Sequence, residues 1–391
     1  MNRSVLIMGC SDSRHVYNFI NIVLSDPLKF DHITIFNVAY VDHEPKEFDD
    51  YYKTRNIRVL NPSKKPSTKI GAFNSALNFA ERTWALHKHL KSNHYDYLIV
   101  HYCSWQAMNW VNLFSNSFQK IFLVFYGGDV LRNKSVNNQL FNSAYQKASA
   151  IILPNKHSYD VFNTKTQNRY EDKATLIQFP KKMVSTFLEL EDKLPPRNAI
   201  LERFGFPKDK IIVLCGHTAT RAERYEQIIS QIKMLPDNIR DKCFWAFMMT
   251  YAPEEYETYQ REIETSILNN HIHGCVMKEY LNYVQIQELH SVTSIHVTNI
   301  LTDALSAFLQ EQMLSGSIII YGKWLHYDDI ENENFFALPY NHINDLSGIL
   351  IEVINDLDNY TKLSVKNRNG IINLASEQTV KNQWNNILNI D

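Results

Sequence analysis

Residues 302–324 read TDALSAFLQEQMLSGSIIIYGKW and contain, in order, an acid, a helix, a glycine and a buried strand. Apolar side chains between Ala304 and Met313 recur at helical spacing, which predicts a helix that begins close to Asp303. Gly316 is expected to end the helix, because glycine adopts the left-handed conformation of a C-terminal cap. A β-branched run then predicts a buried strand, so the stretch predicts an α/β fold.

The helix predicted after Asp303 offers a place for a ligand. Ligands of open α/β sheets bind beyond the carboxyl ends of the strands, and a helix N-terminus there attracts phosphate. Asp303 stands beside the hydroxyls of Thr302 and Ser306 and would suit a ribose or sugar hydroxyl. The alternative is that Asp303 caps the helix and Glu311 is a solvated helix residue.

The N-terminal half alternates apolar strands with helical segments. Strands are predicted at 4–8, 32–38, 57–60, 97–102, 120–125, 150–154 and 175–179, with a long helix at 70–91. Such alternation indicates a parallel sheet with right-handed crossovers.

Two turns at strand ends in this half are candidate ligand contacts. Gly127 and Gly128 follow a strand and permit close backbone approach to a ligand, and Asp129 comes directly after them. A tight turn with Asp129 as a helix cap is a compatible alternative. Ser11 lies in the polar turn after the first strand, which lacks the G-x-G-x-x-G pattern of dinucleotide sites.

A linker-like segment divides the chain. Between Pro180 and Pro207 lie paired lysines, an acidic cluster and Pro195-Pro196, and we predict the domain boundary there, with domains at 1–195 and 196–373. The final segment, 374–391, is expected to form a helix that crosses back to the first domain.

The second domain is predicted to begin with a phosphate-binding turn. The strand 211–215 runs into Gly216, His217 and Thr218, and two arginines, Arg221 and Arg224, precede the next helix. Glycine, hydroxyl and arginine groups before a helix form a plausible cradle for a diphosphate. Many α/β proteins begin a domain this way without binding phosphate, so both interpretations stay open.

Composition limits the classes of function. The 391 residues are 45% hydrophobic and 21% charged with a net charge of −2, which fits a globular protein and argues against a general nucleic-acid binder. Residues 1–195 hold 24 Lys and Arg against 17 Asp and Glu, and the remainder holds 16 against 25. The basic half, with a lysine-rich loop at 61–69, suits an anionic lipid or acceptor, although ordinary solvated surfaces explain it equally.

Cysteines and apolar runs indicate the compartment. The five cysteines form no C-x-x-C pair, and no apolar run reaches 18 residues, so we expect a soluble or peripheral protein of the cytoplasm. The segment CSDSR at 10–14 resembles the first zinc motif of β-class carbonic anhydrases, but the required His-x-x-Cys is missing. No metal site is predicted.

The spacing of Asp303 and Glu311, D-x7-E, resembles the E-x7-E segment of GT-B glycosyltransferases of the large retaining family 4. Met249-Thr250-Tyr251-Ala252-Pro253 is similar to an M-x-Y-x-P segment of bacterial 4-acetamido-4,6-dideoxygalactose transferases. The resemblance implies an α/β GT-B architecture, two Rossmann-like domains with parallel sheets facing across a cleft. It also implies a nucleotide sugar as substrate, with no metal and no separate cofactor.

The resemblance also implies roles for individual residues. Glu311 would hold the ribose hydroxyls, and the arginines would oppose the charge of the leaving diphosphate. The expected catalytic residues are Asp303, Asp129 and Arg221; the expected donor-binding residues are Glu311, Gly216, His217, Thr218, Arg224, Ser306, Lys323 and Trp324; the expected acceptor-side residues are Gly127, Gly128 and Ser11.

The function implied is transfer of a sugar to a glycan or lipid-linked acceptor in bacterial surface polysaccharide synthesis, at the inner face of the cell membrane. Retention of configuration would follow from the family 4 resemblance, but Asp303 departs from its pattern, so the stereochemical outcome stays open. Two alternatives stay open. A hydrolysing nucleotide-sugar 2-epimerase would act on the donor alone and needs carboxylates and histidines for proton transfer. A non-catalytic GT-B subunit would bind a nucleotide or partner without turnover, and Asp303 in place of the first glutamate keeps that alternative open.

Overall fold

The computed structural model describes residues 3–61, 71–250 and 256–389, with only the backbone at 71–74. The chain forms two compact units, one of Met1–Lys181 with Glu377–Asp391 and the other of Lys182–Ser376. The predicted lysines of the 61–69 loop and Tyr251-Ala252-Pro253 of the M-x-Y-x-P segment lie outside the described residues.

In its described part, the first unit contains a seven-stranded parallel sheet in the order β3-β2-β1-β4-β5-β6-β7. Alternate side chains of each strand enter opposite cores, so Leu6 and Met8 pack on one face and Val5 and Ile7 on the other. The strands are Ser4–Gly9 (β1), His32–Asn37 (β2), Arg58–Leu60 (β3), Tyr95–His101 (β4), Phe118–Val124 (β5), Ala150–Leu153 (β6) and Ala174–Leu176 (β7).

Helices cover both faces of this sheet, as a parallel sheet requires. Asparagine or serine side chains cap three of them at Ser104, Asn138 and Asn155, each accepting a backbone N–H of the first turn. The helices are Arg14–Ile22 (α1), Lys46–Thr54 (α2), Gly71–Leu90 (α3), Trp105–Phe114 (α4), Gly128–Leu131 (α5), Gln139–Lys147 (α6) and Lys156–Thr166 (α7).

The second unit has a six-stranded parallel sheet among its described residues, in the order β10-β9-β8-β11-β12-β13. The isoleucine run at 318–320 is fully buried in it. The strands are Ile211–Cys215 (β8), Cys243–Met248 (β9), Gly274–Met277 (β10), Ile295–Thr298 (β11), Ile318–Gly322 (β12) and Leu338–Tyr340 (β13). The predicted fold class of two parallel-sheet, Rossmann-like domains is confirmed.

The helices of the second unit are Met183–Glu191 (α8), Arg197–Phe204 (α9), Tyr225–Ile232 (α10), Asp237–Arg240 (α11), Glu257–Asn269 (α12), Tyr283–Val292 (α13), Ala307–Leu314 (α14), Leu346–Asn355 (α15), Leu357–Ser364 (α16) and Lys366–Ala375 (α17). Short 3₁₀ turns occur at 221–223, 323–325, 328–330 and 343–345.

The segment expected to be linker-like is helical. It contains α8 and α9, and α8 buries Met183, Val184 and Phe187 in a core shared with Leu305 and Leu309 of the second unit. The first unit therefore ends at Lys181, earlier than the predicted boundary at 195. Lysines, acids and prolines suggested a linker, but the apolar side chains spaced by about one turn determine the structure.

The last helix, Glu377–Leu388 (α18), belongs to the first unit. It buries Val380, Trp384 and Leu388 in the core that α1 and α2 also line. The indole of Trp384 packs edge-on against Phe19 with ring centroids 4.8 Å apart. The chain therefore enters the second unit after Lys181 and returns to the first at its end.

Candidate functional site

The loop after β8 contains Gly216, His217 and Thr218 and lies at the carboxyl edge of the second sheet. Gly216 has a φ of +60°, and a Cβ at this position would lie 2.4 Å from the Tyr225 hydroxyl oxygen. That hydroxyl is 2.7 Å from the carbonyl oxygen of Thr218 and 2.6 Å from that of Met248. The glycine is therefore required because the ring of Tyr225 packs against the turn.

A buried acid, Glu223, holds the same loop together. Its Oε1 accepts hydrogen bonds from the Thr218 hydroxyl at 2.9 Å and the Thr218 N–H at 3.2 Å, and lies 3.2 Å from Nδ1 of His217. Burial raises the pKa of Glu223, while His217 and Thr218 lower it. The sequence does not indicate Glu223 as a site residue, because a single acid between two arginines is not a recognisable motif.

Asp303 organises the turn before α14. Its Oδ2 accepts the Ser306 N–H at 2.8 Å and the Tyr327 hydroxyl at 2.7 Å. The helix begins at Ala307, one turn later than predicted, because Leu305 is in the left-handed region with a φ of +58°. Ser306 caps it by accepting the Leu309 N–H. Asp303 thus lies before the helix, where its charge also raises the pKa of Glu223.

Phe308, in the first turn of α14, connects this loop to two further elements. The His217 ring stacks on it at 5.4 Å, His290 of α13 meets it edge-on at 4.8 Å, and His296 of β11 lies at 5.6 Å. Burial lowers the pKa of both His290 and His296 to about 3, so these two imidazoles are neutral. The sequence gives no sign that these two histidines belong to a site, because each lies within an apolar helix or strand.

Glu311 lies one turn further along α14 and lines a pocket. Its Oε2 is 4.0 Å from Nδ1 of His290, and its side chain is 17% exposed. The other walls of the pocket come from α8 and α13; the remaining lining residues are Met183, Thr186, Phe187, Tyr283, Ile286, Gln287 and His290. An accessible carboxylate in a largely apolar pocket is suited to binding hydroxyl groups.

The predicted basic and aromatic residues fall into two groups. Arg224 donates from Nε to the Asn299 carbonyl at 2.7 Å and stacks on Trp324 at 4.6 Å. Arg221 is exposed and makes two 2.8 Å hydrogen bonds to Glu262 of α12. Lys323 is also exposed. The structure therefore brings Arg224 and Trp324 together, whereas Arg221 would have to leave its ion pair to reach a ligand in the loop.

Asp129 joins two loops at the carboxyl edge of the first sheet. Its carboxylate accepts the backbone N–H groups of Cys103 at 3.1 Å and Tyr126 at 2.7 Å. Burial raises the pKa of Asp129 to about 6, and the backbone N–H donors oppose that rise. Gly127 has a φ of +88°, and a Cβ on Gly128 would lie 2.6 Å from the Arg132 guanidinium.

The other acceptor-side residue, Ser11, is buried. Its hydroxyl donates to Glu44 at 2.6 Å and accepts from the Asn37 amide at 2.8 Å, and its N–H donates to the Asn37 side-chain oxygen. No motif in the sequence indicates His101, which ends β4 and shares a 2.6 Å hydrogen bond with the Tyr126 hydroxyl. Ser11 and Asn37 thus join the loop after β1 to the end of β2, and His101 fixes the Tyr126 side chain next to Gly127.

Side chains are described for residues 3–61, 75–250 and 256–389. Within this part of the chain, no three or more His, Cys, Asp and Glu side chains converge as metal ligands would. Among the described helices, none combines the length and apolar character that crossing a membrane requires.

No protein-family model and no curated protein matches this chain. Solved structures do match over its whole length. HepE from Anabaena in complex with UDP and glucose has a TM-score of 0.73 at 14% identity, covering 99% of this chain and 100% of its own. A glycosyltransferase from Rickettsia africae has a TM-score of 0.72 at 12% identity, covering 100% of both chains. Sucrose-phosphate synthase from Thermosynechococcus elongatus has a TM-score of 0.71 at 12% identity, covering 99% of this chain and 98% of its own. The chain shares their GT-B fold.

Proposed function

We propose that this protein is a glycosyltransferase that transfers a sugar from a nucleoside diphosphate sugar to a glycan or lipid-linked acceptor in bacterial surface polysaccharide synthesis. The observation that carries the proposal is the pocket that Glu311 of α14 lines together with His290, whose ring meets Phe308 in the first turn of the same helix. Ribose hydroxyls, phosphates and a base all have suitable partners within this one unit. HepE, which shares the fold, was solved with UDP and with UDP-glucose.

Each donor group is assigned to a part of the site. Glu311 binds the ribose hydroxyls, and the N–H groups in the first turn of α14 bind the diphosphate. The N–H of Gly216 itself donates to the Val297 carbonyl, so Gly216 shapes the loop rather than binding phosphate. Trp324, stacked under the Arg224 guanidinium, contacts the base or the sugar together with Lys323. Arg224 and Arg221 oppose the charge of the leaving group, Arg221 after release from Glu262. With these cations and the helix dipole, the reaction needs no bound metal.

The first unit takes the acceptor. Its glycine turn follows β5, with Gly127 buried and Gly128 partly exposed, and Asp129 and Ser11 keep the neighbouring loops in place. The excess of Lys and Arg in residues 1–195 suits an anionic acceptor or lipid at the inner face of the cell membrane. Retention of configuration is part of the proposal and rests on the D-x7-E resemblance.

Ligand-dependent thermal stabilisation tests the donor site. UDP, GDP, TDP and CMP are each added to the wild type and to the Glu311→Ala variant, with the exposed Glu202→Ala of α9 as the matched control. A ligand at a hundredfold excess over its Kd stabilises the fold by about 2.7 kcal/mol, which raises the Tm by a few degrees. One nucleotide is expected to stabilise the wild type and the control, but not Glu311→Ala.

Absence of any shift in the wild type would overturn the donor site. Turnover is then tested by incubating the protein with the matching nucleotide sugar and following release of the nucleoside diphosphate with and without a glycan acceptor. Release that depends on the acceptor supports transfer. Equal release without the acceptor supports the epimerase alternative, and binding without release supports a non-catalytic subunit.

A further inference from the structure

His217 and Glu223 form a close pair in the loop after β8, and the function proposed above gives this pair no role. Glu223 is fully buried, and its Oε1 lies 3.2 Å from Nδ1 of His217. The imidazole is 20% exposed and lies flat on Phe308, the second residue of α14. One ring nitrogen is thus fixed by a carboxylate inside the protein, and the described residues form no hydrogen bond to the other, Nε2.

The protonation chemistry of a histidine held in this way is restrictive. A neutral imidazole that donates from Nδ1 to a carboxylate has a lone pair on Nε2 and therefore cannot donate to phosphate. Only the imidazolium donates from both nitrogens. A buried carboxylate stabilises an adjacent imidazolium, and so does a bound diphosphate.

We propose that Glu223 is a positioning residue that orients His217 and stabilises its imidazolium, so that Nε2–H binds the donor diphosphate and donor binding takes up a proton. The proposal rests on the donor site proposed above. The proton comes from solvent, and no covalent bond changes. His217 thereby supplies a cation at the diphosphate that depends on pH, beside Arg224, which does not titrate in this range.

The groups around His217 support this assignment. Asp303, in the loop before α14, adds a second negative charge close enough to raise the pKa of Glu223. His296 of β11 and His290 of α13 also face the cluster, but burial lowers the pKa of each to about 3, so neither supplies a cation. Of these four neighbours of His217, two are acids and two are neutral imidazoles.

The test is calorimetric titration with UDP-glucose between about pH 5.5 and 8.5, the range in which histidines titrate. UDP-glucose is used because both its phosphates are esterified and do not titrate there. Titration in buffers with different ionisation enthalpies, PIPES and Tris, gives the number of protons taken up. The wild type is expected to take up close to one proton at the upper end of the range, and its affinity to fall by about tenfold per pH unit there.

Three variants separate positioning from simple loop support. His217→Arg carries a permanent charge and is expected to bind UDP-glucose without proton uptake and with little pH dependence. Glu223→Gln keeps a hydrogen-bonding oxygen for Thr218 but loses the charge, so the fall in affinity is expected at lower pH. Glu202→Gln on the exposed face of α9 is the matched control and is expected to follow the wild type.

The outcomes distinguish the two proposals. Wild-type affinity that is flat across the range, with heats independent of buffer, would overturn the role of the pair while leaving the donor site intact. If Glu223→Gln has normal thermal stability and its affinity for UDP-glucose depends on pH as in the wild type, the positioning role of Glu223 is overturned. Failure of the wild type to bind UDP or UDP-glucose at every pH would overturn the donor site itself, and the proton-linked role of His217 with it.

Discussion

Replacing Gly216 by alanine is expected to disrupt the loop that carries His217 and Thr218. The residue has a φ of +60°, which costs a residue with a side chain about 1–2 kcal/mol. The added Cβ would also lie 2.4 Å from the Tyr225 hydroxyl oxygen and 2.5 Å from its ring. Because Tyr225 is fully buried, it cannot move without disturbing the core. Overpacking of this kind is expected to lower the free energy of unfolding by about 1–3 kcal/mol more.

Gly205 provides a matched control within the same unit. Its φ is +68°, but a Cβ there meets no atom within 4 Å. Gly205→Ala therefore measures the backbone cost alone, expected at about 1–2 kcal/mol, whereas Gly216→Ala is expected to cost about 2–5 kcal/mol in total. Urea unfolding monitored by tryptophan fluorescence gives both free energies of unfolding.

The same two variants separate stability from binding. Tyr225 binds the carbonyl oxygen of Thr218, so displacement of its ring should move the loop that contacts the diphosphate. Gly216→Ala is expected to weaken UDP binding at a temperature where it is still folded, and Gly205→Ala is expected to leave binding unchanged. Equal unfolding free energies for the two variants would refute the close approach of Tyr225 as the reason for the glycine.

Two further predictions concern the first unit. Burial raises the pKa of Asp129 to about 6 from an ordinary value near 4, so the folded state binds more protons than the unfolded state between those values. Stability should therefore fall as pH rises from about 4 to 6, by on the order of 2–3 kcal/mol, and level off above; an unfolding series over pH that is flat for the wild type would contradict this. Trp384→Ala should cost about 3–5 kcal/mol, since the indole is buried against Phe19, while the half-exposed Trp105→Ala should cost far less, both measured by urea unfolding.

The architecture could be predicted from the sequence because it depends on local patterns. A strand of a parallel sheet is buried on both faces, so runs such as 211–215 and 318–320 are apolar throughout and stand out between polar turns. The element order then follows from the alternation of strands and helices. The observed strand ends differ from the predicted ones by only a few residues. For example, β4 was predicted at 97–102 and is found at Tyr95–His101.

Predictions failed where contacts between distant residues decide the structure. The segment with α8 contains charged and proline residues typical of linkers, but Phe187 packs against residues more than one hundred positions later. The start of α14 was placed too early because Ala304 continues the apolar periodicity, and only the left-handed Leu305 shows that the helix has not begun. His290 is near Glu311 only in the folded chain, and Glu223, although it follows His217 closely, stands in no recognisable motif, so no spacing in the sequence indicates the cluster.

The two acids that the sequence made candidates for catalysis share one structural role. Asp303 accepts a backbone N–H and a tyrosine hydroxyl, and Asp129 accepts two backbone N–H groups, each at the carboxyl edge of its sheet. Protonation of Asp303 would weaken the bonds that hold its loop, which disfavours a role as general base. Its fixed charge nevertheless acts on neighbouring groups, as the effect of Asp303 on the pKa of Glu223 shows. Under the proposed function, the second unit is therefore better arranged for electrostatic stabilisation of a leaving diphosphate by preorganised groups than for general acid–base catalysis by Asp303.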